Sequence, residues 1–90
     1  MSSIPALTTP PSVETLSANL WDLRSQAEAK LRCLTKLQQL LAEYSTVENA
    51  TERAQKRLKI LEDLSDIVTI SRSLRSVADE AFAAAEALPQ

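Results

Sequence analysis

The chain has 90 residues, enough for one domain, and its 44% hydrophobic content is almost entirely aliphatic. It contains neither His nor Gly, which excludes the commonest general base and metal ligand and also the glycine-rich loops that cradle phosphates. The net charge of −2 argues against an overall electrostatic field that would attract nucleic acid or an anionic membrane. The single Cys excludes an internal disulfide. Together these absences predict a protein that is not an enzyme and that binds no cofactor or metal.

The N-terminal residues 1–11 are rich in Ser, Thr and Pro, which is typical of a flexible tail. No apolar run approaches the ~20 residues that a membrane-spanning helix needs, and the N-terminus lacks the basic-then-apolar layout of a secretory signal. The sequence therefore predicts no membrane span and a location in the cytoplasm or nucleus.

The absence of Gly and the confinement of all four Pro to the chain ends predict an all-α protein, since strands and hairpins need turn residues between them. The first helix is predicted over residues 12–44, with Ser12 as its N-cap and Glu14 in the first turn, where the helix dipole favours a carboxylate. Its apolar residues recur at spacings of three and four, which indicates a heptad pattern. The a positions are Val13, Leu20, Ala27, Leu34 and Leu41, and the d positions are Leu16, Leu23, Lys30, Leu37 and Tyr44.

The segment 45–51 is predicted to be a turn. Ser45 and Glu48 match a capping box, and Asn49 with Glu52 forms a second, overlapping candidate for a helix start. The heptad register of the second helix does not continue that of the first, so one straight helix would carry two stripes on different faces. The sequence thus favours a helix–turn–helix hairpin. The alternative is one bent helix of about 75 residues, which the absence of Gly leaves open.

The second helix is predicted over residues 52–88, because Pro89 lacks the backbone donor that would continue it. Its apolar residues occupy heptad positions e and g as well as a and d, so the stripe is wide enough for more than one neighbouring helix. A lone hairpin would leave much of this stripe in water. The predicted fold is therefore an antiparallel two-helix hairpin with coiled-coil-like seams, completed into a helical bundle by self-association or by partner chains.

Nine side chains are candidates for a partner interface, because they widen the stripe or lie outside it. Trp21 and Leu58 occupy otherwise polar positions; an exposed Trp is a frequent interface anchor, although Trp21 could instead be covered by its neighbours or by the tail. The full set is Trp21, Leu31, Leu40, Leu58, Leu61, Val68, Ile70, Val77 and Phe82. The stripe changes in width and residue size along its length, so we expect helical subunits of other chains as partners rather than further copies of this one.

Polar residues interrupt the apolar seams at one place in each helix. Lys30 and Ser71 are either tolerated there or fix the register against a partner. Cys33 is expected to pack as a small apolar residue rather than to act as a redox switch.

Basic residues are concentrated near the start of the second helix. This basic cluster holds four of the ten cationic side chains: Arg53, Lys56, Arg57 and Lys59. It is a candidate contact for nucleic acid or an acidic polymer. The alternative is a solvated face neutralised by nearby carboxylates, with Glu52–Lys56 and Lys59–Asp63 as favourable i,i+4 pairs. The lack of interleaved aromatic residues argues against nucleic acid.

The layout of a short N-terminal tail followed by two heptad helices resembles that of small subunits of kinetochore, spindle or vesicle-tethering assemblies. The segment 55–67 also resembles the small coiled-coil accessory subunit of recombinase-loading complexes, although this chain lacks the aromatic C-terminal end expected there. The first resemblance implies a non-enzymatic structural subunit of a multiprotein coiled-coil assembly, which is our main prediction. The alternative is an accessory factor that binds nucleic acid or an acidic polymer through the basic cluster.

Overall fold

Two long helices make up the described part of the molecule. The computed structural model describes residues 11–89, with α1 at Pro11–Thr46 and α2 at Ala50–Glu86. The helices pack against each other and are joined by residues 47–49. The prediction of an all-α hairpin is confirmed, and the alternative of a single bent helix is wrong. Of the predicted tail, all but Pro11 lies outside the described residues.

Asn49 sets the connection between the helices. Its side-chain oxygen accepts hydrogen bonds from the backbone N–H groups of Thr51 at 2.8 Å and Glu52 at 3.1 Å, as an N-cap does. Of the two predicted helix starts, the structure uses the second. Ser45 stays in the last turn of α1, where its hydroxyl donates to Ala42 O at 2.7 Å. The connection is therefore shorter than the predicted turn of residues 45–51.

The outer ends of the helices also differ from the prediction by a residue or two. α1 begins at Pro11, so Ser12 lies inside the helix rather than serving as its N-cap. Proline suits the first turn because it has no N–H to leave unpaired and its φ is already helical. α2 stops at Glu86, and the N–H groups of Ala87 and Leu88 bond back to carbonyls of the last turn.

Contacts across the hairpin fix the alignment of the two helices. Lys56 Nζ lies 3.2 Å from Glu43 Oε2 near the connection, and Cys33 Sγ lies 3.5 Å from Asp63 O one third of the way along. Rising residue numbers in α1 thus lie opposite falling numbers in α2, as the antiparallel prediction requires. We call the end at residues 47–49 the turn end and the opposite end the open end.

The residues that face the opposite helix occupy heptad positions d and g. They recur at spacings of four and three, and each is buried or half-buried. We call them the inner face: Leu16, Asn19, Leu23, Gln26, Lys30, Cys33, Leu37, Leu40 and Tyr44 of α1, with Lys56, Ile60, Asp63, Ile67, Ile70, Leu74, Val77, Ala81 and Ala84 of α2 and Leu88 just beyond its end. The prediction that a and d form the seam is therefore wrong for the a positions, of which Leu20, Leu34, Leu41 and Leu64 are exposed. A single neighbouring helix covers only part of so wide a stripe, and here it covers the g and d side.

Candidate functional site

The exposed apolar side chains are gathered on one side of the hairpin. Eleven large apolar residues are between 37% and 74% exposed, and every one falls at heptad position a, e or b. We call this set the outer apolar face: Val13, Leu20, Trp21, Leu31, Leu34 and Leu41 of α1, with Leu58, Leu61, Leu64, Val68 and Phe82 of α2. Positions c and f of the two helices hold no apolar residue larger than Ala.

The a and e positions of both helices lie on the same side because the helices are antiparallel. Viewed from one end, antiparallel helices turn in opposite senses, so equivalent flanks of their inner faces point the same way. The structure shows this directly, since Leu34 and Leu41 of α1 line one groove together with Leu64 of α2. Trp21 and Leu58, at position b, lie on the outer edges of the same surface.

This groove is lined almost entirely by apolar surface. It has a volume of about 390 Å³ and is lined by Leu34, Leu37, Gln38, Leu41, Ile60 and Leu64. It runs between the two helices in the half of the molecule near the turn end. In coiled coils, a hollow between helices is the type of site in which a side chain of a further helix packs.

The structure divides the nine predicted interface residues into two groups. Six lie on the outer apolar face: Trp21, Leu31, Leu58, Leu61, Val68 and Phe82. The other three, Leu40, Ile70 and Val77, are half-buried on the inner face, so the expectation that a lone hairpin leaves them in water is wrong. They occupy position g, which the hairpin itself covers.

Five members of the outer apolar face are absent from the predicted set: Val13, Leu20, Leu34, Leu41 and Leu64. All five occupy position a, so the sequence pattern places them in the seam between the two helices. The width of the apolar stripe is the feature of the sequence that indicates a second covered surface. One helix cannot cover g, d, a and e together, so either the g side or the a side must be left for another helix.

Polar side chains lie among the apolar residues of the inner face. Asp63 is only 4% exposed and Asn19 only 9%. Within residues 11–89, Asp63 Oδ2, Asn19 Nδ2 and Gln26 Oε1 are buried and have no hydrogen-bond partner. Such groups weaken a helix pair, because each loses its contact with water without a replacement. The hairpin is therefore held by an inner face of mixed polarity.

The alternative interpretation of the basic cluster places Asp63 on a solvated face, but the structure buries this residue. Its Oδ1 lies 3.9 Å from Lys59 Nζ, the predicted i,i+4 pair, while its backbone carbonyl accepts the Cys33 thiol. Cys33 is half-buried there, in keeping with packing as a small residue. Lys30 and Ser71, the predicted seam interruptions, are also half-buried. Lys30 belongs to the inner face, whereas Ser71 lies at position a.

Three of the four side chains of the basic cluster have partners within the hairpin. Arg53 Nη2 donates to Val47 O at 2.9 Å, and Lys56 Nζ pairs across the hairpin with Glu43 rather than with Glu52. Lys59 is directed to Asp63. Arg57 makes none of the ion pairs found among the described residues and lies at position a, beside the outer apolar face. The hairpin itself thus satisfies three of the four cations.

The described residues give no other candidate for a chemical site. Between residues 11 and 89 no three His, Cys, Asp or Glu side chains are grouped as a metal site would require. No helix in this range is long and apolar enough to cross a membrane. The chain matches no protein-family model, no curated protein and no solved structure. The outer apolar face is therefore the candidate functional site.

Proposed function

We propose that this chain is a non-enzymatic structural subunit of a multiprotein coiled-coil assembly, of the kinetochore, spindle or vesicle-tethering type. The observation that carries the proposal is the outer apolar face, whose members extend from Val13 to Leu41 in α1 and from Leu58 to Phe82 in α2. In this proposal, helices of further subunits pack on that face and complete a bundle. From the sequence we expect these subunits to be other chains. An assembly of this chain with unlike subunits is therefore one form of the proposal.

The size of the outer apolar face supports this proposal. Its exposed fractions add up to about six fully exposed large side chains, or on the order of 1,000 Å² if each contributes about 150–200 Å². The largest apolar patch on an ordinary monomer is about 300–600 Å². A standard protein interface buries about 800 Å² on each partner. The summed apolar exposure is thus high for a lone monomer and large enough for a specific interface.

The free energy of burying the outer apolar face also supports the proposal. Burying one large aliphatic side chain contributes about 1.5–3 kcal/mol, so covering the equivalent of six contributes roughly 9–18 kcal/mol. The whole stability of a small domain is about 5–15 kcal/mol. Covering the outer apolar face therefore contributes a free energy comparable with the whole stability of a small domain.

The test introduces charge into the groove. In the full-length chain, Leu34→Asp with Leu64→Asp should prevent assembly, because two carboxylates would have to be buried among leucines. The matched control is Gln39→Asp with Thr69→Asp, which adds the same two negative charges on the exposed polar side. Sedimentation of each purified protein, and the masses of the chains that co-purify with each at native expression level, are the measurements.

The proposal expects assembly by the wild type and the control, and loss of assembly by at least ~100-fold for the groove variant, as ~3 kcal/mol of lost burial requires. A wild-type chain that folds cooperatively as a monomer and co-purifies with nothing would overturn it. Equal assembly by all three proteins would show that some other surface is used.

A further inference from the structure

The outer apolar face is not uniform along its length. Toward the turn end it is rich in large aliphatic residues, including Leu31, Leu34 and Leu61. Toward the open end it combines alanines at positions a with two aromatic side chains, Trp21 and Phe82, which are 74% and 68% exposed. The same face therefore offers a groove at one end and large projecting side chains at the other.

We infer that the outer apolar face binds a second copy of this chain, reversed end to end, so that α1 packs on α1 and α2 packs on α2 of that copy. The inference rests on the proposed function and names the helices that cover the face. An isologous dimer of this kind is built from one self-complementary surface. The change in residue size along the face, which in the sequence alone favours an unlike partner, becomes complementary once one copy is reversed.

Two-fold symmetry allows only two ways to pack the outer apolar faces of two hairpins together. If the axis runs parallel to the helices, both turn ends lie together and α1 packs on α2 of the other copy. If the axis crosses the helices within the interface, the turn ends lie apart and each helix packs antiparallel on its own copy. Full overlap in the second case places the axis at the helix midpoints, at Glu28–Ala29 of α1 and at Val68 of α2.

Apolar residues favour the reversed arrangement. Leu20 and Leu37 lie equally far from the midpoint of α1, about 13 Å at 1.5 Å per residue, so Leu20 of each copy lies level with the groove of the other. Phe82 and Ala54 are likewise equidistant from Val68, so each Phe82 lies opposite a small residue. Large side chains facing small ones are the arrangement that packs without voids.

The charges favour the same arrangement. Arg57 and Asp79 lie at equal distances on either side of Val68, so Arg57 of each copy comes opposite Asp79 of the other. Asp79 is exposed and pairs with Arg75 at 3.4 Å. In the unreversed arrangement, Arg24 of α1 would instead lie against Arg72 and Arg75 of the second copy, because these residues share one level of the hairpin. Like charges facing each other suppress that arrangement.

The first part of the test is a charge exchange in the full-length chain, measured by sedimentation equilibrium. Arg57→Glu should weaken the dimer by about tenfold or more, since two symmetry-related pairs become repulsive. Arg57→Glu with Asp79→Arg should restore the wild-type dissociation constant to within about threefold. Arg32→Glu, an exposed charge reversal at position f, is the matched control and should leave it unchanged.

The second part of the test determines the orientation, using Trp21 as the single Trp of the chain. A nitroxide is attached to Gln38→Cys or Gln39→Cys in a chain that also carries Cys33→Ser and Trp21→Phe, and this chain is mixed with wild type. Gln38 lies in the groove and Gln39 on the opposite side of α1. The reversed dimer predicts that Trp21 fluorescence is quenched by the label at residue 38 and not by the label at residue 39.

Each outcome bears on the inference. A dimer with quenching from residue 38 alone and restoration by the charge exchange supports it. A dimer without that quenching overturns the reversed arrangement and leaves the proposed function standing. If the chain forms no dimer of its own, and Trp21 is shielded only in complex with a different chain, the partner is not a second copy. That result overturns this inference and leaves the proposed function standing. A cooperatively folding monomer that binds no other chain overturns both proposals.

Discussion

The inner face is of mixed polarity, whereas the outer apolar face consists of large apolar side chains alone. The inner face, which the hairpin covers, includes Asp63, Asn19 and Gln26, each with a buried polar atom that lacks a partner. The outer apolar face, which the hairpin leaves uncovered, carries eleven large apolar side chains. In a self-sufficient domain the apolar surface is the covered one. The difference indicates that the two helices pair through one surface of each helix. In the proposed function, a separate surface of each helix binds other helices.

The largest expected effect is the difference in stability between variants at Leu37 and at Leu41, which lie one turn apart in α1. Leu37 is 9% exposed and Leu41 is 59% exposed. In the monomeric groove variant, Leu37→Ala should lower the free energy of unfolding by about 2–4 kcal/mol, as a buried Leu does. Leu41→Ala should change it by about 0.5 kcal/mol or less, as a surface residue does. Urea denaturation measures both.

The same pair of substitutions in the wild-type background shows whether the outer apolar face becomes covered. Leu41→Ala should then cost about 1.5–3 kcal/mol, because its side chain is buried in the assembly. If Leu41→Ala costs no more in the wild type than in the groove variant, the face stays in water and the contrast between the two surfaces has no functional meaning.

A second prediction concerns the polar character of the inner face. Asp63→Leu should raise the free energy of unfolding by about 1–3 kcal/mol, because a buried carboxylate with an unpartnered oxygen is replaced by an apolar side chain. Thermal unfolding of full-length protein measures the change. Glu62→Leu, one residue away and exposed, is the control and should give no gain. A loss of stability in Asp63→Leu would mean that Asp63 has a partner which stabilises its charge.

The sequence is sufficient for the helices but not for the assignment of their faces. The absence of Gly, the heptad spacing and Asn49 in front of an acidic turn together predict two helices joined near residue 49. The heptad pattern cannot decide which half of the stripe the second helix covers, since g, d, a and e are all largely apolar. The structure covers the side that contains Asp63 and Asn19, and this choice runs against the simple rule that the most apolar side is covered first.

The position of Arg57 shows the same limit at the site. In sequence it belongs to a cluster of four cations and suggests an anionic partner. In the structure Arg53, Lys56 and Lys59 are directed to acceptors of the hairpin itself, and Arg57 alone lies on the side of the outer apolar face. Which of the four cations has a partner within the hairpin depends on the packing of α2 against α1. The local pattern of charges in the sequence does not specify that packing.

A third prediction addresses the connection between the two helices. Asn49→Ala should lower the free energy of unfolding by about 1 kcal/mol, because the backbone N–H groups of Thr51 and Glu52 lose their side-chain acceptor. Asn49→Asp keeps an acceptor at the same place and should be close to wild type. Equal losses in the two variants would indicate that the amide nitrogen of Asn49, rather than its oxygen, is the group that matters.

The smallest expected effect is that of the ion pair between Lys56 and Glu43, which joins the two helices near the turn end. Both side chains are partly exposed, at 31% and 43%, so solvent screens the pair and its coupling energy should be about 0.2–1 kcal/mol. A double-mutant cycle with Lys56→Met and Glu43→Gln measures that coupling. The matched cycle on Arg24 and Glu28, which are more exposed and lie within one helix, should give a coupling at or below the lower limit. If the two cycles agree, the pair across the hairpin adds nothing beyond an ordinary surface contact, and the alignment of α1 with α2 rests on the apolar residues of the inner face alone.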